Sequence, residues 1–448
     1  MPKKIVDLLP KLSWGAFIAT IILAPFRFRF LLLEQPVPPI WRDYTDLLLF
    51  ASDIALLLAI FPWFLYLYLR PRKVNAGPQF IIWPLLGLTT MAALGSLWSI
   101  DLLLSLYHSI RLLALLGFYL YVVNNVSSLR QLIAPVGMQI TIQSVVGIAQ
   151  SIEQKSIGLQ LLGEYVLNPA WHGVSVVFTE SERLLRAYGL SDHPNILGGC
   201  LVFGILFLYV YWIYEKNRLQ ILVLAAIFLS VLCLFFTYSR SAWLASLFGF
   251  ALILLMIHRN QGSKYFSKGI LLLFLIGLIL LPAAWVNREF LGVRLGAEGS
   301  FQEIPSEIGS IGERRVLVSA ANMLFEENAL LGIGIGATPQ ALLSRFPNFA
   351  VSYQPAHFVL LDAAVETGMF GAAFYLVLLL APWLALYLNR RMKFPHDLIA
   401  ASGVLLSLTI VGFFDYYTWL LAPGRIWQWL AWALWARFYV DARANAKS

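Results

Sequence analysis

The chain has 448 residues, 60% of them apolar, and only 32 Lys+Arg and 24 Asp+Glu with which to meet water. A soluble domain carries about 25% charged residues, whereas this chain carries 12% with a mean hydropathy of +0.75, which excludes disorder, a coiled coil, a secreted disulfide scaffold and a soluble α/β enzyme. The net charge of +8 lies mainly at the ends of apolar runs, so it reads as topogenic and not as a nucleic-acid surface.

Met1-Pro-Lys-Lys and the apolar run behind it lack a small-x-small cleavage site, which makes the start a retained first span. Apolar runs follow near 44–69, 80–98, 104–124, 130–150 and 195–214, then near 219–237, 241–257, 268–287, 356–388, 397–417 and 424–440. With the first at 12–25, they predict an all-α polytopic membrane protein of about twelve transmembrane helices, a single integral membrane domain over 1–448. Cys200 and Cys233 fall inside these runs and offer no disulfide or metal framework. Placing the N-terminus inside collects Lys3, Lys4, Lys11, Arg70, Arg72, Lys73 and most later cations on one side. Arg27, Arg29, Arg42, Arg240 and Arg425 are left on the other, so both termini are expected to be cytoplasmic.

Two long connections, 151–194 and 288–355, then fall on the outer face, and the remaining connections read as tight hairpins. Chemistry is expected in these two loops. The first ends in Arg186-Ala-Tyr-Gly-Leu-Ser-Asp-His-Pro-Asn195. The second reads as a helical subdomain inserted between spans nine and ten. Ser310-Ile-Gly-Glu313 has the form of a capping box ahead of Arg314 to Glu327, and Thr338-Pro339 that of an N-cap followed by proline. Gly332-Ile-Gly-Ile-Gly336 lacks dinucleotide-fingerprint spacing and reads as a tight turn, whose neighbouring helix amides can assist an anion. No fixed-period repeat is present, which weakens an inverted-repeat transporter.

An ionisable residue inside a span costs several kcal/mol unless paired or hydrated, so each is a functional candidate by default. They are Asp53, His108, Arg111, Asp362, Glu366 and Asp415, and all except Glu366 lie within about ten residues of the outer surface, roughly 15 Å of helix or less. Arg240, in Thr237-Tyr-Ser-Arg240-Ser-Ala-Trp243, is either a snorkelling interfacial arginine or an anion clamp, and Arg186 invites the same two readings. Asp192 and His193 fit turn positions beside a proline. His357, at a helix start, is either structural or a general base.

Arg186 through Asn195, Ser239-Arg240-Ser-Ala-Trp243, Arg314-Arg315, the Gly332–Gly336 turn and His357-Phe-Val-Leu-Leu-Asp-Ala-Ala-Val-Glu366-Thr-Gly368-Met-Phe-Gly371 occur in that order. Together they resemble the O-antigen ligase and O-antigen polymerase superfamily of bacterial membrane glycosyltransferases, over about 183–388. The resemblance implies a GT-C-like fold in the inner (cytoplasmic) membrane, with the active site on the outer face. It also implies a glycan donor on undecaprenyl diphosphate, a lipid or glycan acceptor, and metal-independent inverting transfer without a cofactor. By it, His357 is catalytic, Arg186, Arg240 and Arg314 or Arg315 bind the diphosphate, and Asn195, Asp362 and Glu366 support them. Two positions depart from the family pattern: Phe358 stands where Asn is usual, and Val318 where Trp is usual. Membrane lipids are the expected surroundings and nucleic acid is not an expected partner. Ligase, polymerase and protein oligosaccharyltransferase remain open, as does a small-anion transporter on the same scaffold. Glu303, Glu307, Glu313, Glu326 and Glu327 show no metal-ligand spacing.

Overall fold

The computed structural model describes residues 3–171, 173–179, 182–296 and 305–446. In chain order the elements are α1 (Lys3–Leu23), β1 (Arg29–Leu33), β2 (Leu47–Phe50), α2 (Ala51–Leu69), α3 (Gln79–Gly95), α4 (Leu102–Asn125) and α5 (Arg130–Glu153). There follow β3 (Val176–Phe178), β4 (Arg183–Leu185), α6 (Pro194–Tyr214), α7 (Gln220–Phe236), α8 (Arg240–Gln261), α9 (Ser263–Val286) and α10 (Arg288–Leu295). The last are α11 (Pro305–Glu327), α12 (Thr338–Arg345), α13 (Val359–Leu388), α14 (His396–Gly412), α15 (Tyr417–Leu420) and α16 (Ala422–Asn445).

Among the described residues nine helices are long and apolar enough to cross a membrane, and α7 and α14 are shorter apolar helices. With α16 they make twelve, in the places where the apolar runs lie, and the protein is an all-α polytopic membrane protein. Helix α6 is the axis of the bundle. Nearly its whole length is buried, against α5, α7, α8, α9, α14 and α16, because it is apolar on every face and has no side to offer to solvent. Helix α16 is its aromatic counterpart, with Trp427, Trp429, Trp432 and Trp435 all buried.

Both ends of the described chain lie at one end of the bundle, where Asp7 meets Arg70 and Arg437 reaches the Val123 carbonyl. The other end carries the long connections. Here α10, α11 and α12 pack between the ends of α9 and α13, and α11 has its own small core of Leu317, Ala320, Ala321 and Leu324 against Ala337, Leu342, Tyr353 and Val365.

Three local expectations are corrected. The connection from 24 to 50 is not a tight hairpin: the apolar runs at Phe30–Leu33 and Leu47–Phe50 flank a proline-rich loop and pair as the antiparallel β1–β2 ribbon, so α2 begins at Ala51 and not at 44. Helix α11 begins at Pro305, which places Ser310 to Glu313 inside it and not at its cap; proline suits a first helical position and starts the helix earlier. Ala337 is the N-cap residue of α12, and the Thr338 hydroxyl donates instead to Glu366 Oε1 at 2.8 Å.

Candidate functional site

A cavity of about 540 Å³ opens at the loop-bearing end, lined by Arg186, His193, Asn195, Arg240, Arg294, Glu313, Arg314, Gln354 and His357 among others. Six chain segments contribute, and the packing that brings each one in is specific.

Arg186 comes from the strand end of the first long connection. Gln150 Oε1 on α5 accepts the Tyr188 and Gly189 amides and Gln143 Oε1 accepts the Leu190 amide at 2.8 Å, so the loop between β4 and α6 is fastened to α5. Asp192 fastens it from the other side by accepting from Arg27 (2.6 Å) and Arg29 (3.2 Å). His193 caps α6, its Nδ1 accepting the Asn195 amide. Asp192 and His193 thus fill the turn and cap places their sequence suggests, and His193 also faces the cavity.

The turn between α7 and α8 fixes three arginines. Thr237 and Tyr238 end α7, and Tyr238 takes a left-handed φ of 47°, a conformation that costs a non-glycine residue roughly 1 kcal/mol or more. The two consecutive carbonyls are then divided between two guanidinium groups. Thr237 O accepts Arg186 Nε at 2.6 Å, and Tyr238 O accepts Arg294 Nε at 3.1 Å and Nη2 at 2.8 Å. Ser239 caps α8, placing Arg240 at its first residue. Arg186 is nearly buried and also donates to Ser175 Oγ and to Asn195 Oδ1, each at 2.7 Å. Asn195 Nδ2 in turn donates to Asp415 at 2.7 Å.

Arg314 and His357 are delivered by the second connection, and the glycine turn explains how. Gly332, Gly334 and Gly336 all have positive φ, of 72°, 94° and 81°, and a Cβ on Gly332 would lie 2.5 Å from the Glu366 backbone. The turn therefore docks directly onto α13, where Gly368 breaks the helix at φ 69° and lets the Met369 amide reach the Ala329 carbonyl at 2.7 Å. Glu366 is wholly buried and accepts from Thr338 Oγ1 and, at 2.7 Å, from Trp419 Nε1. The group that meets the glycine turn is thus the protein's own α13, through the Val365 and Glu366 carbonyls, which accept the Ile333 and Gly334 amides. Glu366 and Gly368 act by anchoring the loop, about two helical turns from His357.

The environment of the histidines follows from this assembly. His357 lies edge-on to Tyr416, with ring centroids 5.1 Å apart, and its buried Nδ1 has no hydrogen-bond partner among the described residues. Burial pushes its pKa down to about 4, Arg314 adds to the fall, and the negative charge of Asp415 opposes it. His193 is likewise held well below the ordinary value by burial and by Arg186. Both rings are neutral near pH 7; the acceptor nitrogen of His193 is taken up by the Asn195 amide, whereas His357 can accept a proton.

Of the residues singled out in the sequence, Arg186, Asn195, Arg240, Arg314 and His357 share this cavity. Arg315 does not; it lines a separate cleft that also contains Arg314 and His357. Asp362 is wholly buried on α13 and lines neither. Arg294 and Gln354 are additions from the structure, whereas Asp415, already a candidate from the sequence, reaches the site through Asn195 and does not line the cavity. Asp415 had a signal, as an acid within an apolar run, whereas Arg294 sits in a short amphipathic stretch where nothing in the spacing marks it. Glu303 lies outside the described residues, among which no group of three or more His, Cys, Asp or Glu converges as a metal-binding cluster.

Fold and site together define a polytopic helical membrane protein with a strongly cationic cavity at one end of its bundle. Residues 225–376 match the family model described as O-antigen ligase, which supports the O-antigen ligase superfamily and an O-antigen ligase-like membrane enzyme. The match runs from α7 into α13 and includes Arg240, Arg294, Arg314, His357 and Glu366 but not Arg186 or Asn195. No curated protein matches the chain.

Proposed function

We propose that the protein transfers a glycan from a polyprenyl diphosphate lipid to an acceptor hydroxyl at this cavity, on the outer face of a bacterial inner membrane, with both termini cytoplasmic. The carrying observation is the lining itself: Arg186, Arg240, Arg294 and Arg314 face one space with a histidine held neutral. Loss of a diphosphate concentrates negative charge on a phosphate oxygen as the sugar C1–O bond breaks, and oriented guanidinium groups stabilise that charge bidentately. The acceptor O–H gives its proton to His357 while its oxygen attacks C1 from the face opposite the diphosphate, which inverts the anomeric centre. Asp415 favours the imidazolium that results. An anionic donor also offsets the repulsion from Arg314, raising the His357 pKa towards a useful base.

An apolar pocket of about 240 Å³, lined by Leu234, Phe235, Trp243, Leu280 and Leu295, adjoins the cavity through the neighbouring pairs Trp243–Leu244 and Arg294–Leu295 and suits the first isoprene units of the donor. Metal independence is part of the proposal, since the described cavity lining holds one carboxylate, Glu313, which accepts from Gln354 at 3.0 Å. The test is turnover of a farnesyl diphosphate-linked disaccharide by protein in lipid nanodiscs with excess EDTA. Release of farnesyl diphosphate with inversion at C1 is expected. Binding without cleavage, or activity that returns only with Mg²⁺ or Mn²⁺, would overturn it.

A further inference from the structure

Six consecutive backbone amides around Arg186 each meet an acceptor. Leu185 donates to Gln154 Oε1 at 2.7 Å, Arg186 to the Ser175 carbonyl and Ala187 to the Phe236 carbonyl. Tyr188 and Gly189 donate to Gln150 Oε1, and Leu190 to Gln143 Oε1. Glutamines at one end of α5 thus hold four of the six. A carboxamide can present either its oxygen or its NH₂, so the grip depends on which way it points. For Gln150 the direction is fixed from behind. Its Nε2 donates at 2.9 Å to Glu164 Oε1 and at 2.9 Å to the Gly189 carbonyl. Glu164, 3% exposed, also accepts the Ile157 amide at 2.7 Å and the Leu159 amide at 2.6 Å.

On the footing of the donor site proposed above, we propose that Glu164 is a positioning residue for Arg186, acting through Gln150 on how the diphosphate is held. Burying a carboxylate is costly even when it is hydrogen-bonded, and a glutamine of the same shape would be cheaper to bury. What the carboxylate adds is a surface that only accepts. Facing it, Gln150 has to turn its NH₂ towards residue 164 and its oxygen towards the Tyr188 and Gly189 amides. Rotated by half a turn, Gln150 would set its oxygen against Glu164 and its NH₂ against two N–H groups, and the chain two residues beyond Arg186 would lose its hold. The Arg186 guanidinium has to meet the Thr237 carbonyl, the Ser175 hydroxyl and Asn195 Oδ1 together, which requires its backbone in one place.

The test is a double-mutant cycle read by farnesyl diphosphate binding to the full chain in phosphatidylcholine nanodiscs. Glu164→Gln, which keeps the volume, and Gln150→Glu, which sets two carboxylates face to face, should each weaken the probe about tenfold. In an Arg186→Ala background, where Arg240, Arg294 and Arg314 still hold the probe, Glu164→Gln should cost nothing more. Exchanging the pair, Gln150→Glu with Glu164→Gln, should recover part of the affinity, because a donor and an acceptor again face each other. Unchanged affinity in Glu164→Gln, an equal loss with and without the Arg186 side chain, or no recovery in the exchanged pair would each overturn the role, and an equal loss would leave Glu164 as a residue that folds its own loop. Failure of farnesyl diphosphate to bind wild type would instead overturn the transfer reading, and the role with it.

Discussion

The bundle contains two clusters of arginine and histidine, and they are built on opposite plans. In the cluster between α2, α4 and α16, Arg111 is paired with both oxygens of Asp53 at 2.8–2.9 Å and bonds Tyr107. Arg425, only 2% exposed, donates to the Trp419 carbonyl and to His108 Nδ1. These groups are largely spent on one another, which is how charged residues survive between apolar helices. In the cavity cluster Arg186 bonds the Thr237 carbonyl, the Ser175 hydroxyl and the Asn195 amide oxygen, Arg294 bonds the Tyr238 carbonyl, and both line a space of about 540 Å³. Carbonyl oxygens orient a cation without cancelling its charge. Residue type therefore does not distinguish a site from a scaffold; the space that a guanidinium group lines does.

The largest expected effect tests the open cluster. His357→Ala should slow transfer by about 10² to 10⁴ while farnesyl diphosphate still binds, as measured by single-turnover assay and equilibrium binding. Near-normal turnover would make His357 part of the scaffold. The closed cluster should answer in a different observable. Asp53→Ala leaves Arg111 without its counter-ion and should cost about 3 kcal/mol or more, read as a lower thermal midpoint in nanodiscs, with the kcat of the surviving protein close to normal. A selective loss of kcat would move Asp53 into the site.

Arg240→Ala and Arg314→Ala should each lose about tenfold or more in kcat/KM, and Arg240→Lys should recover only part, because lysine keeps the charge without the planar fork. The smallest effect is in pH. A free-enzyme base near pKa 4 places the acid limb of kcat/KM near pH 4, not near 6.5: activity is present above that limb and falls as His357 takes up a proton. Asp415→Asn should move the limb down and Arg314→Ala should move it up, since the acid favours the imidazolium and the arginine opposes it.

The helical architecture was legible because a bilayer imposes it locally: a run of about 20 apolar residues has to satisfy its backbone within itself, so span positions can be read one segment at a time. The same segment-wise reading failed between 24 and 50, where two apolar quartets too short to span found each other as strands. Arg186, Arg240 and His357 were readable as motifs because each sits at or beside a helix or strand end with distinctive neighbours, and Arg314 because it opens an arginine pair. Their convergence was not, for it depends on Gln143 and Gln150 holding one loop and on Glu366 and Gly368 holding another. Nor could sequence separate Arg314 from Arg315. Adjacent residues on a helix point about 100° apart, and which direction meets the diphosphate cavity and which the separate cleft is set by the docking of α11 against α13, a contact between residues some forty positions apart.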